Sequence, residues 1–201
     1  MSEQLLSLAQ AHQLQQSTPG SAAEEAAICD ANAVAREGVI AHLPQALEKQ
    51  IDLGWRDARG EDVDDADGDE LQPGTFVAPV KASALGLHEV LSNLVHNAIA
   101  YTPHGGRVSV SAHVSNEQTL NPQVQLLVQD DGPGIAPEDR ERAFQRFERL
   151  QPTSGGATVP GSGLGLAIAR TYLQPMQGRI ELLDGEGGKG LTVRVTLPLA
   201  K

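Results

Sequence analysis

Three polar residues stand one helical turn apart within residues 87–101: Glu89, Asn93 and Asn97. A spacing of four residues places their side chains in a single row along one side of a helix. Asn97 falls at the border of the apolar face of that helix, where a partly buried amide needs a hydrogen-bonding partner or a ligand. Amide oxygens are hard and neutral and suit Mg²⁺, which takes its other ligands from water and substrate phosphates. From this helix alone, however, an amphipathic core helix with two tolerated asparagines is the favoured interpretation.

A second candidate group follows a predicted strand. Asp130 precedes a short turn in which Gly132 and Gly134 flank a proline. The two glycines let the backbone pass close to a ligand. The carboxylate can accept a hydrogen bond from a flat polar group such as an adenine amino group. Asp-Gly turns are common, so this pattern is weak when it is taken alone.

A third candidate group is a glycine-rich loop, residues 151–163, with the helix that begins at Leu164. Such a loop presents unpaired backbone N–H groups and the positive end of the helix dipole to an anion. It is not a P-loop, because no Gly-Lys-Ser/Thr follows, and no strand leads into it as in a dinucleotide fingerprint. A flexible linker followed by a helix start is the alternative. Upstream of the loop, Arg146 and Arg149 are either surface charges or phosphate contacts.

The composition limits the class of protein that could carry these groups. A chain of 201 residues with 40% hydrophobic content can bury the core of one ordinary domain plus an appendage. It has no apolar run of membrane-spanning length and no signal-peptide pattern, and its single cysteine excludes an intramolecular disulfide. The net charge of −11 and the aromatic content of 3% argue against a nucleic-acid surface or an anionic-membrane surface. We therefore expect a soluble cytoplasmic domain.

The N-terminal quarter of the chain is predicted to be helical. Residues 2–16 predict a short helix, which is either the end of a longer coiled-coil helix or an ordinary tail. A capping box at residues 21–24 opens a helical region that continues to about residue 50. Gly38 and Pro44 interrupt this region, and they predict either a kink or a division into two helices.

Strand and turn patterns dominate the rest of the chain. The helix at residues 87–101 ends at a strong turn signal. Pro137 and the two acids after it predict a further helix, and it carries Phe144 and Phe147 at a spacing typical of core residues. The other predicted elements are strands at 51–55, 75–80, 108–114 and 124–128, the last two forming a hairpin, a solvated acidic loop at 61–70 and a helix at 164–170.

In their order and spacing, four stretches resemble the N, G1, F and G2 boxes of sensor histidine kinases: NLVHNAIAYTP, DDGPGI, AFQRFER and GSGLGLAIAR. These kinases belong to a wider ATP-binding family, the GHKL or Bergerat-fold family, which includes gyrase B, Hsp90 and MutL. The resemblance covers about residue 30 to the C-terminus, and residues 178–198 resemble the closing hairpin of the family. It implies an α/β two-layer sandwich in which a mixed β-sheet is covered on one face by about three helices.

The resemblance also implies a division of the chain. Residues 1–20 are similar to the end of a dimerisation helix with its linker, and residues 21–201 are similar to the ATP-binding catalytic domain. Within that domain, residues 57–74 form an atypical acidic insertion that we expect to be flexible. Residues 151–163 correspond to the ATP lid.

Roles for the individual site residues follow from the resemblance. Asn97 with Asn93 is implied to ligate Mg²⁺ at the ATP phosphates, and Glu89 to act beside them as a third catalytic residue. Asp130 is implied to bind the adenine amino group. The other implied cofactor-binding residues line the base pocket, form the lid or contact phosphate: Gly132, Gly134, Tyr101, Arg146, Arg149, Gly161, Gly163, Leu164 and Gly165.

The implied activity is transfer of the ATP γ-phosphoryl to a histidine on a dimerisation domain, upstream of a response regulator. The chain contains no phosphoacceptor box, so this histidine belongs to a missing segment or to another protein. The implied location is the cytoplasmic part of an inner-membrane sensor, without direct contact to membrane or nucleic acid. Two positions depart from the family pattern: Ala100, where lysine or arginine is often found, and Pro175, which interrupts the region after the G2 helix.

Two alternative functions remain. A degenerate domain that binds nucleotide or a partner without transferring phosphate is supported only by Ala100. An ATPase of the gyrase or Hsp90 type is disfavoured, because those families place a glutamate base where this chain has Asn93.

Overall fold

The computed structural model describes residues 27–56, 77–115, 121–149 and 162–200. Within these ranges the chain forms three α-helices and seven β-strands. In chain order they are β1 (Ile28–Asp30), α1 (Ala31–Glu48), β2 (Asp52–Arg56), β3 (Pro79–Lys81), α2 (Ala84–Tyr101), β4 (Arg107–Ser115), β5 (Gln123–Asp130), α3 (Gly165–Leu173), β6 (Arg179–Asp184) and β7 (Leu191–Pro198).

Several predicted features lie outside the described residues. They are the helix at 2–16, the capping box at 21–24, the acidic insertion at 57–74 and the lid up to Gly161. In the described part of the chain, none of the helices is both long and apolar enough to span a bilayer.

The main sheet has five strands in the order β2-β4-β5-β7-β6. Strand β2 runs parallel to β4, and every other neighbouring pair is antiparallel. The predicted hairpin of β4 and β5, the closing hairpin of β6 and β7 and the mixed character of the sheet are therefore confirmed. Strands β1 and β3 form a separate two-stranded antiparallel ribbon.

Side-chain alternation gives this sheet one apolar and one polar face. Val110 pairs with Val128, Val128 with Val193, and Val193 with Leu182, and all four side chains are buried. Side chains alternate between the faces of a strand, so the neighbouring register positions face the other way, and six of these eight residues are polar, the exceptions being Leu127 and Leu183. The helices cover the apolar face: α1 packs on β2 and β4, α2 on β4 and β5, and α3 on β6. The predicted two-layer sandwich with three helices on one face is confirmed.

Helix α2 lies between the other two helices and has the most extensive buried face. Ser83 caps its first turn, where the hydroxyl accepts a hydrogen bond from Gly86 N at 3.3 Å. The helix begins three residues before the predicted start at Leu87. Its buried residues recur at helical spacing: Gly86, Leu87, Val90, Leu91, Leu94, Val95, Ala98 and Ile99.

Helix α1 begins later than predicted and is not divided. The Asp30 carboxylate accepts hydrogen bonds from Asn32 N at 3.0 Å and from Ala78 N at 2.8 Å, so a strand and not a capping box precedes the helix. Gly38 is buried and faces Leu91 of α2, where an added Cβ atom would lie 3.7 Å from Leu91 Cβ, an ordinary van der Waals contact. Pro44 lies on the exposed side near the end of the helix, where water can bond the carbonyl that it leaves unpaired. The predicted division into two helices was therefore wrong, and a kink at Pro44 stays a prediction.

The helix predicted from Pro137 is replaced by two short 3-10 turns, Pro137–Asp139 and Arg142–Phe144. Arg140 contributes to this irregular backbone, because its side chain donates to Ile135 O at 3.2 Å and to the carboxylate of Asp184 on β6. The core prediction holds only in part for the phenylalanines. Phe144 is partly buried against the core, but Phe147 is 65% exposed.

Candidate functional site

The polar row of α2 lies along the border of its buried face, with each member half-buried. The side-chain amide of Asn93 donates to Glu89 O, one turn earlier, at 2.8 Å. This bond uses the nitrogen of the amide and leaves its oxygen available as a ligand. The amide of Asn97 makes no hydrogen bond to any residue in the described part of the chain. A partly buried amide without a partner is the arrangement expected of a ligand-binding group.

The start of helix α3 lies directly against the Asn97 amide. A Cβ atom added at Gly165 would lie 2.7 Å from Asn97 Nδ2 and 3.1 Å from Oδ1. Leu164, which is 1% exposed, anchors this end of the helix in the core. The N-cap residue, Leu164, makes no side-chain capping bond to the first backbone N–H groups of the helix. These amides and the positive end of the helix dipole lie beside the Asn97 amide, so an anion and its cation could bind here together.

Asp130 is the last residue of strand β5, and the turn that follows it lies against the C-terminal end of α2. Its Oδ1 accepts a hydrogen bond from Gly132 N at 2.9 Å. Burial raises the pKa of the Asp130 carboxyl to about 6, with a further rise from the charge of Asp131 and an opposing effect from the amides of Gly132 and Leu191. The carboxylate is therefore partly desolvated, which strengthens any hydrogen bond that its second oxygen accepts.

Gly132 and Tyr101 connect Asp130 to helix α2. A Cβ atom at Gly132 would lie 2.8 Å from Asp130 Oδ1 and 3.0 Å from Tyr101 O, so the turn fits against the helix only without a side chain. Tyr101 is the last residue of α2 and is 42% exposed. The structure thus brings residues of the N box, the G1 box and the G2 box together around the last two turns of α2.

Two further glycines support the turn after Asp130. Gly134 has φ +70°, and a Cβ there would lie 2.8 Å from Gly190 O. Gly190 has φ +78°, and a Cβ there would lie 1.8 Å from Asp130 O. Both positions therefore require glycine for two reasons, the left-handed backbone and the close approach.

The residues of the F box lie beside the entry to α3. Gly163 has φ +68°, and its carbonyl accepts a hydrogen bond from Phe147 N at 3.0 Å. This contact joins the 3-10 segment to the last described residues of the predicted lid. Arg146 and Arg149 are both exposed, and their contact with phosphate stays a prediction.

Sequence reasoning missed Gly190 and Leu191, which complete the turn around Asp130. Their backbone lies beside Asp130 because β5 and β7 pair with Asp130 opposite Leu191. The glycine-rich stretch before β7 was a signal, but only the strand register connects it to a residue so much earlier in the chain.

Comparison with known proteins agrees with this geometry. The family model described as histidine kinase-, DNA gyrase B- and HSP90-like ATPase matches residues 82–201. Histidine protein kinase DivJ of Caulobacter vibrioides is 37% identical over 167 residues, which are 82% of this chain and 24% of DivJ. Sensor protein kinase PmrB of Pseudomonas aeruginosa is 41% identical over 114 residues, 57% of this chain and 22% of PmrB. The chain thus spans about a quarter of the length of these two relatives.

Solved structures show the same fold. The mycobacterial sensor histidine kinase MprB superimposes with a TM-score of 0.64 at 24% identity, covering 86% of this chain and 97% of that one. Full-length ShkA in complex with AMPPNP gives a TM-score of 0.65 at 26% identity, covering 98% of this chain and 35% of ShkA.

Proposed function

The chain belongs to the family of histidine kinase-, DNA gyrase B- and HSP90-like ATPases, and from this premise we propose that residues 21–201 bind Mg²⁺–ATP and transfer its γ-phosphoryl to a histidine on another domain. The observation that carries the proposal is the amide of Asn97, which has no hydrogen-bond partner among the described residues and lies against the start of α3, with the partly desolvated Asp130 carboxylate beyond the C-terminal end of α2. One end of the site suits phosphates and a cation, and the other suits a base.

The base end binds adenine through Asp130. Its Oδ1 is occupied by Gly132 N, so the second oxygen is the acceptor for the exocyclic amino group. Gly132 and Gly134 let the base approach the backbone, and Tyr101 closes the edge of the pocket from the end of α2.

The phosphate end binds the triphosphate through the N-terminal amides of α3, with Gly163, Leu164 and Gly165 as its described entry. The oxygens of Asn97 and Asn93 fit Mg²⁺, because they are neutral hard ligands and substrate phosphates supply the rest. When bound, Mg²⁺ neutralises charge on the phosphates. Arg146, Arg149 and Gly161 complete the phosphate contacts when the lid, residues 151–163, closes.

Phosphoryl transfer requires mainly that the protein position the reactants and stabilise charge, which amides, asparagines and arginines can do. The backbone carbonyl of Glu89 accepts a hydrogen bond from the side-chain amide of Asn93, and this bond orients Asn93 as a ligand. An ATPase of the gyrase or Hsp90 type is the weaker function, since an asparagine at position 93 cannot take a proton from water.

The partners follow from the chemistry and from the relatives. In this proposal, residues 1–20 correspond to the end of a dimerisation helix with its linker, and the acceptor histidine lies on the dimerisation domain of the full-length protein. A response regulator then takes the phosphoryl group, and the whole protein is a membrane sensor with this domain on the cytoplasmic side.

Titration calorimetry with a non-hydrolysable ATP analogue tests the binding site. Asn97→Ala should weaken binding about tenfold or more in Mg²⁺ and much less in a chelator, because the lost group is a metal ligand. Asn121→Ala, at an exposed position just before β5, is the matched control and should bind like the wild type. Equal affinity of Asn97→Ala and the wild type in Mg²⁺ would refute the assignment.

A labelling experiment tests the transfer. With γ-labelled ATP, the chain should place acid-labile label on a supplied dimerisation segment of the full-length protein and not on itself. Binding without transfer to that segment would favour the degenerate module instead.

A further inference from the structure

The last turn of helix α2 is held by a side chain from another helix. A helix leaves its final carbonyls without partners inside the helix. Ala98 O accepts from Thr102 N at 2.9 Å. Ile99 O and Ala100 O instead accept from the Lys49 ammonium, at 2.9 Å and 2.7 Å. Lys49 is the residue that follows the last residue of α1.

The position of Lys49 is fixed at both its backbone and its side chain. Its N–H donates to Ala46 O at 3.2 Å, and its carbonyl accepts from Gly105 N at 3.2 Å. An ammonium at the C-terminal end of a helix also interacts favourably with the helix dipole. Burial lowers the pKa of Lys49, so holding the charged ammonium here has a desolvation cost.

The turn that Lys49 holds is also one wall of the base end of the site. Tyr101 follows the two residues whose carbonyls Lys49 binds. Gly132 packs so closely against the Tyr101 carbonyl that a Cβ atom added at Gly132 would lie 3.0 Å from Tyr101 O. A displacement of this turn would therefore move Gly132 and the Asp130 carboxylate that Gly132 N holds. Asn97 lies one turn earlier, inside the regular hydrogen bonding of the helix.

We propose that Lys49 is a positioning residue for nucleotide binding, whose ammonium fixes the last turn of α2 against the Asp130–Gly132 turn without touching the nucleotide. The inference rests on the proposed function, because it concerns the base end of that same site. It assigns to α1 a role in the site beyond its packing on the sheet.

Lys49→Met removes the donor while it keeps an unbranched side chain, and Lys49→Arg restores a cation with several donors. Lys81→Met, at an exposed lysine of β3, is the matched control. We expect Lys49→Met to weaken the binding of ADP and of a non-hydrolysable ATP analogue by the same factor, about tenfold, because both ligands contain the same base. Lys49→Arg should bind both within about threefold of the wild type, and Lys81→Met should bind like the wild type. The measurement is calorimetry, at a temperature well below the unfolding of every variant.

Other results would overturn the proposal in distinguishable ways. Unchanged affinities in Lys49→Met, with only a lower melting temperature, would make Lys49 a structural cap. A larger loss of affinity for the ATP analogue than for ADP would mean that Lys49 acts at the phosphate end of the site. If Lys49→Met does not fold, Lys49→Gln, which keeps one donor group, should show a partial loss for both nucleotides, and wild-type affinity there would refute the role. A wild-type chain that binds no nucleotide would instead refute the proposed function itself.

Discussion

Replacing Asp130 by asparagine should make the nucleotide-free domain more stable while weakening its binding of ATP. The carboxylate is held in a partly desolvated position beside Asp131, and both burial and that neighbour raise its pKa. Asparagine has nearly the same shape and can still accept the hydrogen bond from Gly132 N with its oxygen. The substitution therefore removes a buried charge and leaves the turn intact.

The size of the stability gain follows from the pKa of Asp130. A rise from 3.8 to about 6 corresponds to about 3 kcal/mol at neutral pH, since each unit contributes about 1.4 kcal/mol. This is an upper value, because asparagine is itself a polar group with a desolvation cost. For a domain of this length it amounts to a rise in Tm of roughly 6–12 °C at most.

The pH dependence has a definite sign. Between about pH 4 and pH 6 the folded protein retains the Asp130 proton that the unfolded chain has already lost. The contribution of this group to the free energy of unfolding therefore falls as pH rises through that window and stays low above it. In Asp130→Asn this fall should be absent, so the two proteins should be closest in stability at about pH 4 and differ most above about pH 7.

Nucleotide affinity should change in the opposite direction. Because Gly132 N holds the amide oxygen, the asparagine presents its NH₂ group to the adenine amino group, a donor facing a donor. Loss of this hydrogen bond should weaken the binding of an ATP analogue about tenfold to a hundredfold.

Scanning calorimetry from pH 4 to pH 8, with and without the analogue, measures both effects on the same samples. Asp131→Asn is the matched control, since its carboxylate accepts from Arg107 N at 3.0 Å and lies 3.7 Å from Lys189 Nζ. Removing that charge relieves some repulsion on Asp130 but also weakens these two contacts, so it should not stabilise the protein. The reasoning fails if Asp130→Asn is no more stable than the wild type at pH 7.5, or if it keeps the wild-type fall between pH 4 and pH 6.

Two further predictions concern the glycines of the site. Gly165→Ala places a Cβ atom 2.7 Å from Asn97 Nδ2, so it should weaken binding of the ATP analogue about tenfold with little loss of Tm. The control is Gly54→Ala, whose Cβ atom meets no atom within 4 Å and which should bind the analogue normally in the same titration. Gly134→Ala combines φ +70° with a Cβ 2.8 Å from Gly190 O, and it should lower the free energy of unfolding by about 1–3 kcal/mol in urea; a variant as stable as the wild type would show that this turn adapts freely.

The sequence predicted the layers of this fold well because its patterns have the right period over long segments. The helical recurrence from Leu87 to Ile99 and the alternation of apolar residues in β4 and β5 each identify one buried face. Once the faces are known, three helices and a mixed sheet have few ways to cover one another.

The start of α1 could not be predicted, because a distant contact decides it. Asp30 caps the helix and also accepts from Ala78 N, 48 residues along the chain. Local capping signals could not choose between this aspartate and the capping box at 21–24. The helix predicted from Pro137 was wrong for a similar reason, because Arg140 in this segment bonds Asp184 on β6, 44 residues further along the chain.

The candidate site shows the same division between local and distant information. Asn97, Asp130 and Gly165 were identified from local motifs, and the structure brings Gly165 into contact with Asn97. No local motif connects Lys49, Gly190 or Leu191 to the site, and they enter it only through helix packing and strand register.

Helix α2 contributes both to the core and to the proposed nucleotide site, and this limits the substitutions that its sequence can accept. Eight of its 18 residues are buried in the core, and three more form the polar row that carries the proposed ligands, so more than half of its positions are under one constraint or the other. In a library of single substitutions, changes on the apolar face should deplete folded protein, whereas changes at Asn93 or Asn97 should leave protein that no longer responds to nucleotide. A descendant could therefore give up ATP through one or two of these polar positions and keep its shape as a docking module.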